Sequence, residues 1–477
     1  VYVNSMDCNV LILGAGPAGM SAASRLLSNN VNFSVIEKEN IIGGLAKTIQ
    51  YGLFSLDIGP HILCTKPYVY DYNEKMYLFI KELLGERLLH YEETKRKYLE
   101  TVRVGEVEFD YPIQIKNALQ NVGFVRALNM VYDYLLAMFQ SADNLNRKSS
   151  FEQTINSQLG RSLADLFILK YSEKIWGLKC SELSADLAWR VGEFSMLDVL
   201  IEQISNFWKN LYSQSGHPVC YPEQGIGLIC EQIKVNIEKS NVGEIKTDSF
   251  PVRILHDNRL IEEVVVCEQD SVQSYHPNYL LSSIPIGKLI HLLDPRPPAE
   301  VIDSVSNLKH RSHLCLYIIV NKSRVLSDHC IYYPDPKIPF ARIMEQKNYS
   351  RKSCPDAMTA LAVEFFCWYQ DDLWNKNDSE LFRIAMPKLE ELGIVKEGEI
   401  VDYFVHKERF AYPVYDLEYG GCLKIVMTYL DGLKNLKLIG RSGTFTYMGQ
   451  YRAMEAGSNA ADEIASEIFK EPGDGLA

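Results

Sequence analysis

A chain of 477 residues, 47% hydrophobic and 23% charged, is long enough for two or three domains with a sizeable core. Its net charge of -12 disfavours a general nucleic-acid surface, so an anionic guest would need a local cluster of arginines. Its 11 cysteines are scattered singly with no C-x-x-C pair, which argues against a disulfide framework or a zinc site and reads as a reduced, cytoplasmic protein.

The first element is a short apolar strand, Val10 to Leu13, inside "NVLILGAGPAGMSAASRL". Three glycines interrupt it before a helical pattern of small residues begins. Gly14 permits a tight turn, Gly16 lets bare backbone approach a pyrophosphate, and Gly19 lets the new helix pack on the strand. The helix N-terminus then offers unpaired N–H groups to phosphate. A second strand, "NFSVIEKE", carries Glu37 and Lys38. The Glu37 carboxylate stands where a ribose-binding acid belongs in a dinucleotide-binding unit. "IIGGLAKT" follows with Gly43, Gly44 and Leu45, then "LDIGPHIL" with Asp57, Gly59 and His61.

Residues 73–216 read as mainly helical, because apolar positions recur at three and four in "YDYNEKMYLFIKELLG", "GFVRALNMVYDYLLAMFQS", "SLADLFILKYSEKIWG" and "SMLDVLIEQISNFWKNLY". "VGEVEFDYPIQ" interrupts them as a strand-like hairpin. In "LKYSEKIW", Trp176 reads as core packing and Lys174 as an exposed helix charge. Residues 217–300 return to strands, and 301–419 alternate strands with one helix to form an antiparallel sheet region. "LKLIGRSGTF" then leads into a long C-terminal helix. The nucleotide-binding domain is therefore expected to be discontinuous, built from 6–72, 217–300 and 420–470. No apolar run reaches the ~18 residues of a membrane span. The opening "VYVNSMDCNV" lacks the charged and apolar regions of a signal peptide. No hydrolase triad or metal-ligand cluster has recognisable spacing.

The string E-K-x(4)-G-G resembles the FAD-binding signature of the glutathione-reductase-like and amine-oxidase-like flavoproteins. That resemblance favours FAD over NAD. The order of "GGLAKT", "DIGPHIL", "YPEQGIG", "FAYPVYDLEY" and "GRSGTFTYMGQYRAMEAG" over residues 8 to about 465 resembles the UDP-galactopyranose mutase family, within the amine oxidase and protoporphyrinogen oxidase-like flavoproteins. The implied fold class is α/β: a Rossmann-like FAD-binding domain of the glutathione-reductase type, a helical substrate region and an antiparallel sheet.

The resemblance implies that FAD contacts Gly14, Gly16, Gly19, Glu37, Lys38, Gly43, Gly44, Leu45, Gly59, His61, Gly225, Gly440, Tyr447 and Met448. It gives His61 a place near the reactive edge of the flavin. Arg342 and Arg441 match the family's diphosphate-binding arginines, a task that suits the rigid guanidinium fork. Tyr412 and Tyr447 match its phosphate-bonding tyrosines, and Gln450 a remaining amide contact. The implied reaction is exchange of ring size on a nucleotide-diphosphate sugar by reduced flavin, with no net electron transfer. The flavin would be reduced by NADPH or NADH. Three places depart from the family, one of them "YMGQYRAM", where its members usually carry an Asn-Gln-Asp-like run. Pro60 replaces the second glycine of a Gly-Gly-His turn, fixing φ and removing an N–H. Leu169 stands where eukaryotic-type members carry an arginine, so either the adjacent Lys170 serves or the site takes a different substrate. The alternatives are a flavin oxidoreductase acting on a sugar, an amine or another small molecule, and a non-catalytic flavin-binding protein. The oligomeric state is not legible.

Overall fold

The structure, a computed structural model, describes residues 4–65, 72–91, 100–105, 107–111, 124–141, 150–190, 219–269 and 271–470. The expected helix in "SMLDVLIEQISNFWKNLY" lies outside them. Two sheets carry the architecture. In the first, Gly243–Lys246, Phe33–Ile36, Asn4–Leu13, Ser271–Ser282 and Leu436–Leu438 run parallel in that order. Val10 to Leu13 are fully buried on both faces of the sheet, which is why that strand reads as an unbroken apolar run. Antiparallel strands Ile261–Glu268 and Ser249–His256 continue the sheet beyond the N-terminal half of Ser271–Ser282. The sheet thus draws strands from the start, middle and end of the chain.

Helix Pro17–Ser28 packs closely against helix Gln450–Ile468. Small residues make this approach possible: a Cβ on Gly457 would lie 2.0 Å from the Ala18 carbonyl oxygen. The same contact ties the C-terminal segment to the glycine loop.

The second sheet runs in the order Ile400–Pro413, His310–Val320, Thr359–Cys367, Arg342–Glu345, Cys330–Tyr332, Glu100–Val104, Val107–Tyr111. The last two strands form a hairpin whose second strand lies within "VGEVEFDYPIQ"; its first strand begins at Glu100, ahead of the expected segment. They join this sheet by pairing with Cys330–Tyr332, so the mainly helical region also contributes strands. Side chains alternate between faces along each strand. Leu314, Leu316, Ile318, Leu361, Val363 and Phe365 pack with Leu381, Ala385 and Leu389 of helix Asp378–Glu391. Cys315, Tyr317, Ala360, Ala362 and Met344 belong to the same core as Val10, Ile12 and Val35 of the first sheet. Arg342 and Glu364, in phase with this second set, therefore look toward the turn at Gly59.

The "SLADLFILKYSEKIWG" segment is helical but not uniform: a π-helical stretch Ala164–Leu169 precedes helix Lys170–Trp176. Helices Glu74–Leu84 and Phe124–Ser141 lie where the periodicity placed them. Among the described residues, no helix is long and apolar enough to cross a membrane.

Candidate active site

A cavity of about 1270 Å³ lies between the two sheets. Its wall includes Gly14, Gly16, Glu37, Lys38, Gly44 and Leu45 from the N-terminal unit, and His61 from the turn that follows. Arg342 and Tyr412 enter from the second sheet; Gly440, Arg441, Tyr447, Met448 and Gln450 enter from the C-terminal segment. Sequence positions hundreds of residues apart thus share one enclosure.

At the nucleotide end, the Ala15 N–H donates to Glu37 Oε2 at 2.8 Å and the Glu39 N–H to Oε1 at 3.0 Å. Burial lifts the Glu37 carboxyl above its ordinary value, and these two N–H groups oppose the shift. The acid is held in one orientation at the end of strand Phe33–Ile36. Gly16 and Gly44 face each other as bare backbone: a Cβ on Gly44, at φ +53°, would come within 3.2 Å of Gly16 Cα. Such a cradle suits the passage of a diphosphate toward the N-terminus of Pro17–Ser28. Further along the wall, both Nε2 and Oε1 of the Gln450 amide are buried with no hydrogen-bond partner among the described residues. An orphaned amide facing a cavity calls for a guest that offers both a donor and an acceptor. These features fit an adenine dinucleotide carrying a polar ring system.

Five predicted residues do not line the cavity. Gly19 packs instead: its Cβ would lie 2.0 Å from the Gly14 carbonyl oxygen. Gly43, at φ +106°, turns the chain so that its N–H reaches the Ala15 carbonyl at 2.8 Å. Gly59, at φ +84°, lies against the Arg342–Glu364 pair. Gly225 packs on Thr48 and Asp57, and its Cβ would meet Thr48 Oγ1 at 2.4 Å. Lys170 is exposed and pairs with Asp165 at 3.0 Å. It does not replace an arginine at the wall, and Leu169 is buried in the core. Lys174 also departs from expectation: its Nζ donates to the carbonyls of Tyr333 and Asp335, each at 2.9 Å, and burial pulls its ammonium down to about 7.

The other end of the cavity is built from arginines and aromatic rings. Tyr412 and Tyr447 stack with centroids 5.6 Å apart, and Trp176 meets both edge-on at 6.0 and 6.2 Å. The Arg441 guanidinium lies 5.1 Å from the Tyr412 centroid and 4.7 Å from that of Tyr447. Its N–H groups donate to the carbonyls of Met448 and Ala411, and it has no carboxylate partner among the described residues. Arg342 is different. Its Nε and Nη2 donate to the two oxygens of Glu364, each at 2.7 Å, and Nη2 lies 3.4 Å from the Tyr412 hydroxyl. Glu364 is fully buried and also bonds His313 Nε2 at 2.7 Å. Burial alone would raise its carboxyl; Arg342 and His313 outweigh that and hold it at about 2. Burial likewise acts to raise the Tyr412 phenol, but Arg342 and Arg441 bring it below its ordinary value.

His61 Nδ1 lies 3.1 Å from the Gly59 carbonyl oxygen. Burial, with Arg441 and Arg342 nearby, lowers its imidazole to about 4. The ring is therefore neutral at pH 7 with Nδ1–H donating, which leaves Nε2 as an acceptor.

Two residues at this site escape a reading based on motifs. Glu364 is the lone acid in "TALAVEFF", and an acid within an apolar strand has to find a cation. Lys47, almost fully buried on the cavity wall, bridges Glu39 at 2.5 Å and Glu408 at 2.7 Å, joining the first domain to strand Ile400–Pro413. Nothing near it in the sequence marks the second partner.

Known proteins resemble this chain in fold. The profile of the NAD(P)-binding Rossmann-like domain matches residues 12–83. Phytoene dehydrogenase of Streptomyces griseus is 36% identical over 80 residues, which are 17% of this chain and 15% of that protein. The match thus spans less than a fifth of that relative's length. Among solved structures, reduced UDP-galactopyranose mutase superposes with a TM-score of 0.77 at 18% identity, covering 98% of this chain and 95% of that one. A variant of putrescine oxidase superposes with a TM-score of 0.64 at 14% identity, covering 97% and 100%. The chain has the fold these solved structures share, with a Rossmann-like NAD(P)-binding domain matched near its start. The resemblance to UDP-galactopyranose mutase drawn from the motifs extends over nearly the whole fold.

Proposed function

We propose that this chain is an FAD-dependent enzyme acting on a nucleotide-diphosphate sugar, and that it exchanges pyranose and furanose forms with the flavin reduced. One observation carries the reading. Arg342 and Arg441 converge on Tyr412 in the wall of the same cavity that holds the glycine loop and Glu37. FAD, when bound, supplies an electron-rich ring able to act on an anomeric carbon or to exchange electrons with a substrate. The protein's own part is position and charge. Glu37 would hold the ribose, Gly14 and Gly16 the cofactor's pyrophosphate, and Gln450 a polar ring edge. Arg441 and the tyrosine pair would hold the anionic part of the substrate. Neutral His61 can accept a hydrogen bond or a proton through Nε2. A cytoplasmic setting and a nicotinamide reductant accord with this reading.

The runner-up is an oxidoreductase that oxidises a sugar, an amine or another small molecule. It is favoured by the commitment of one edge of Arg342 to Glu364, which leaves only part of that fork for a diphosphate. Anaerobic mixing separates the two. Dithionite-reduced protein is expected to convert UDP-galactose to the furanose form, and oxidised protein is expected to do nothing. Bleaching of the oxidised flavin by a sugar or amine would overturn the mutase reading in favour of the oxidoreductase.

A further inference from the structure

Among the described residues, three cations with buried or half-buried heads line the cavity, and they differ in how their charge is balanced. Lys47 is held by two glutamates. Arg342 is held by Glu364 through two parallel hydrogen bonds of 2.7 Å. Arg441 is hydrogen-bonded only to carbonyl oxygens. Lys38, Lys288 and Arg409, also on the wall, are exposed to solvent.

The Arg342–Glu364 pair is built into the fold. The two residues sit directly opposite each other on neighbouring antiparallel strands. His313 takes a further lone pair of the carboxylate. The turn Gly59–His61 closes over the pair so tightly that a Cβ on Gly59 would come within 3.1 Å of Glu364 Oε2. An ion pair of this geometry acts on a guest several ångströms away as a dipole, because the two fields largely cancel.

We propose that Glu364 is a specificity-determining residue: it cancels the charge of Arg342, so that among the described residues the substrate end of the cavity presents one unbalanced half-buried cation, Arg441. The guest is then a molecule that places one anionic group against Arg441 and neutral oxygens, such as sugar hydroxyls, against Arg342. Nη1 of Arg342, which makes no hydrogen bond among the described residues, is the donor for them. This deepens the nucleotide-sugar reading and rests on it for the identity of the guest. The charge balance itself does not depend on that identity.

The test is a double-mutant cycle on FAD-loaded protein, titrated with UDP, uridine and inorganic pyrophosphate. Glu364→Gln uncovers the Arg342 charge and should tighten pyrophosphate and UDP by about tenfold, with a steeper dependence on salt. Arg342→Gln uncovers the carboxylate and should weaken both. The double variant Arg342→Gln/Glu364→Gln restores neutrality and should remain within about tenfold of wild type, the scale of a lost neutral hydrogen bond. Uridine should follow none of these changes. Equal or weaker pyrophosphate binding by Glu364→Gln with its flavin retained, or no pyrophosphate binding by any form, would overturn the proposal. If Glu364→Gln fails to fold, the double variant decides alone, since it buries no unpaired charge; a loss beyond about tenfold overturns the proposal. If pyrophosphate follows the predicted order while UDP and uridine do not bind, the charge balance stands and the nucleotide-sugar reading fails.

Discussion

Arg342 and Arg441 look alike in the sequence, each a lone arginine near small or apolar residues, and the motif treats them as a pair. Their surroundings separate them. Arg342 sits across from a buried acid and Arg441 across from carbonyls and ring faces, and no local pattern tells one from the other. Arg441→Ala is therefore predicted to weaken UDP binding by about 1.5–3 kcal/mol, the worth of a hydrogen bond to a charged group, measured by calorimetry on the flavin-loaded protein. The glycines were legible in a different way. Their positions could be read, yet their duties divide: Gly14, Gly16 and Gly44 line the cavity, while Gly19, Gly43 and Gly225 shape the chain behind it. Gly19→Ala puts a methyl group into the Gly14 carbonyl and is predicted to abolish flavin retention, read as the ratio of flavin to protein absorbance after gel filtration. Gly420→Ala, in a helix with nothing within 4 Å, should keep the flavin at the wild-type level.

Elements decide what residues can reach. The parallel strands and the two long packed helices announce themselves, because apolar runs and small-residue spacing are local properties. Of the hairpin at residues 100–111 only the second strand was visible, and its membership of the second sheet depends on the first strand pairing with residues about 230 positions later, which local pattern does not encode. The loop at Gly225 is fixed by a long-range contact of the same kind. Asp57 accepts hydrogen bonds from Thr48 Oγ1, the Tyr221 hydroxyl and the Ile226 N–H, binding the N-terminal unit to that loop. Burial lifts Asp57 from its ordinary 3.8 to about 6 despite these donors. An acid whose folded value is raised favours the folded state at low pH. Between about pH 4 and pH 6 the unfolded chain loses this proton first, so the contribution falls by about 2 kcal/mol as pH rises through that window. Asp57→Asn removes that dependence. The wild-type-minus-variant stability, from denaturant melts at pH 4, 5 and 6, is predicted to decline with rising pH. A flat or rising difference would contradict this account of Asp57.

The whole molecule is what brings the site together. Strands and loops from near residues 10, 60, 220, 280, 340, 410 and 440 meet around one cavity, so a contiguous stretch of the chain holds only part of the site. The nucleotide half was open to inspection because it is compact in sequence, a strand, a turn, a helix and an acid within 30 residues. At the other end, Arg342, Arg441, Tyr412 and Tyr447 were named through the resemblance, but the cross-strand acid facing Arg342 and the stacking of two tyrosines from distant segments were hidden. The claim on which the rest depends is that this enclosure holds a flavin. The most direct measurement is the visible spectrum of the purified chain after incubation with FAD and gel filtration. Flavin bands at one FAD per chain, lost in Gly19→Ala, are the predicted result. A folded protein that emerges colourless from FAD would contradict it.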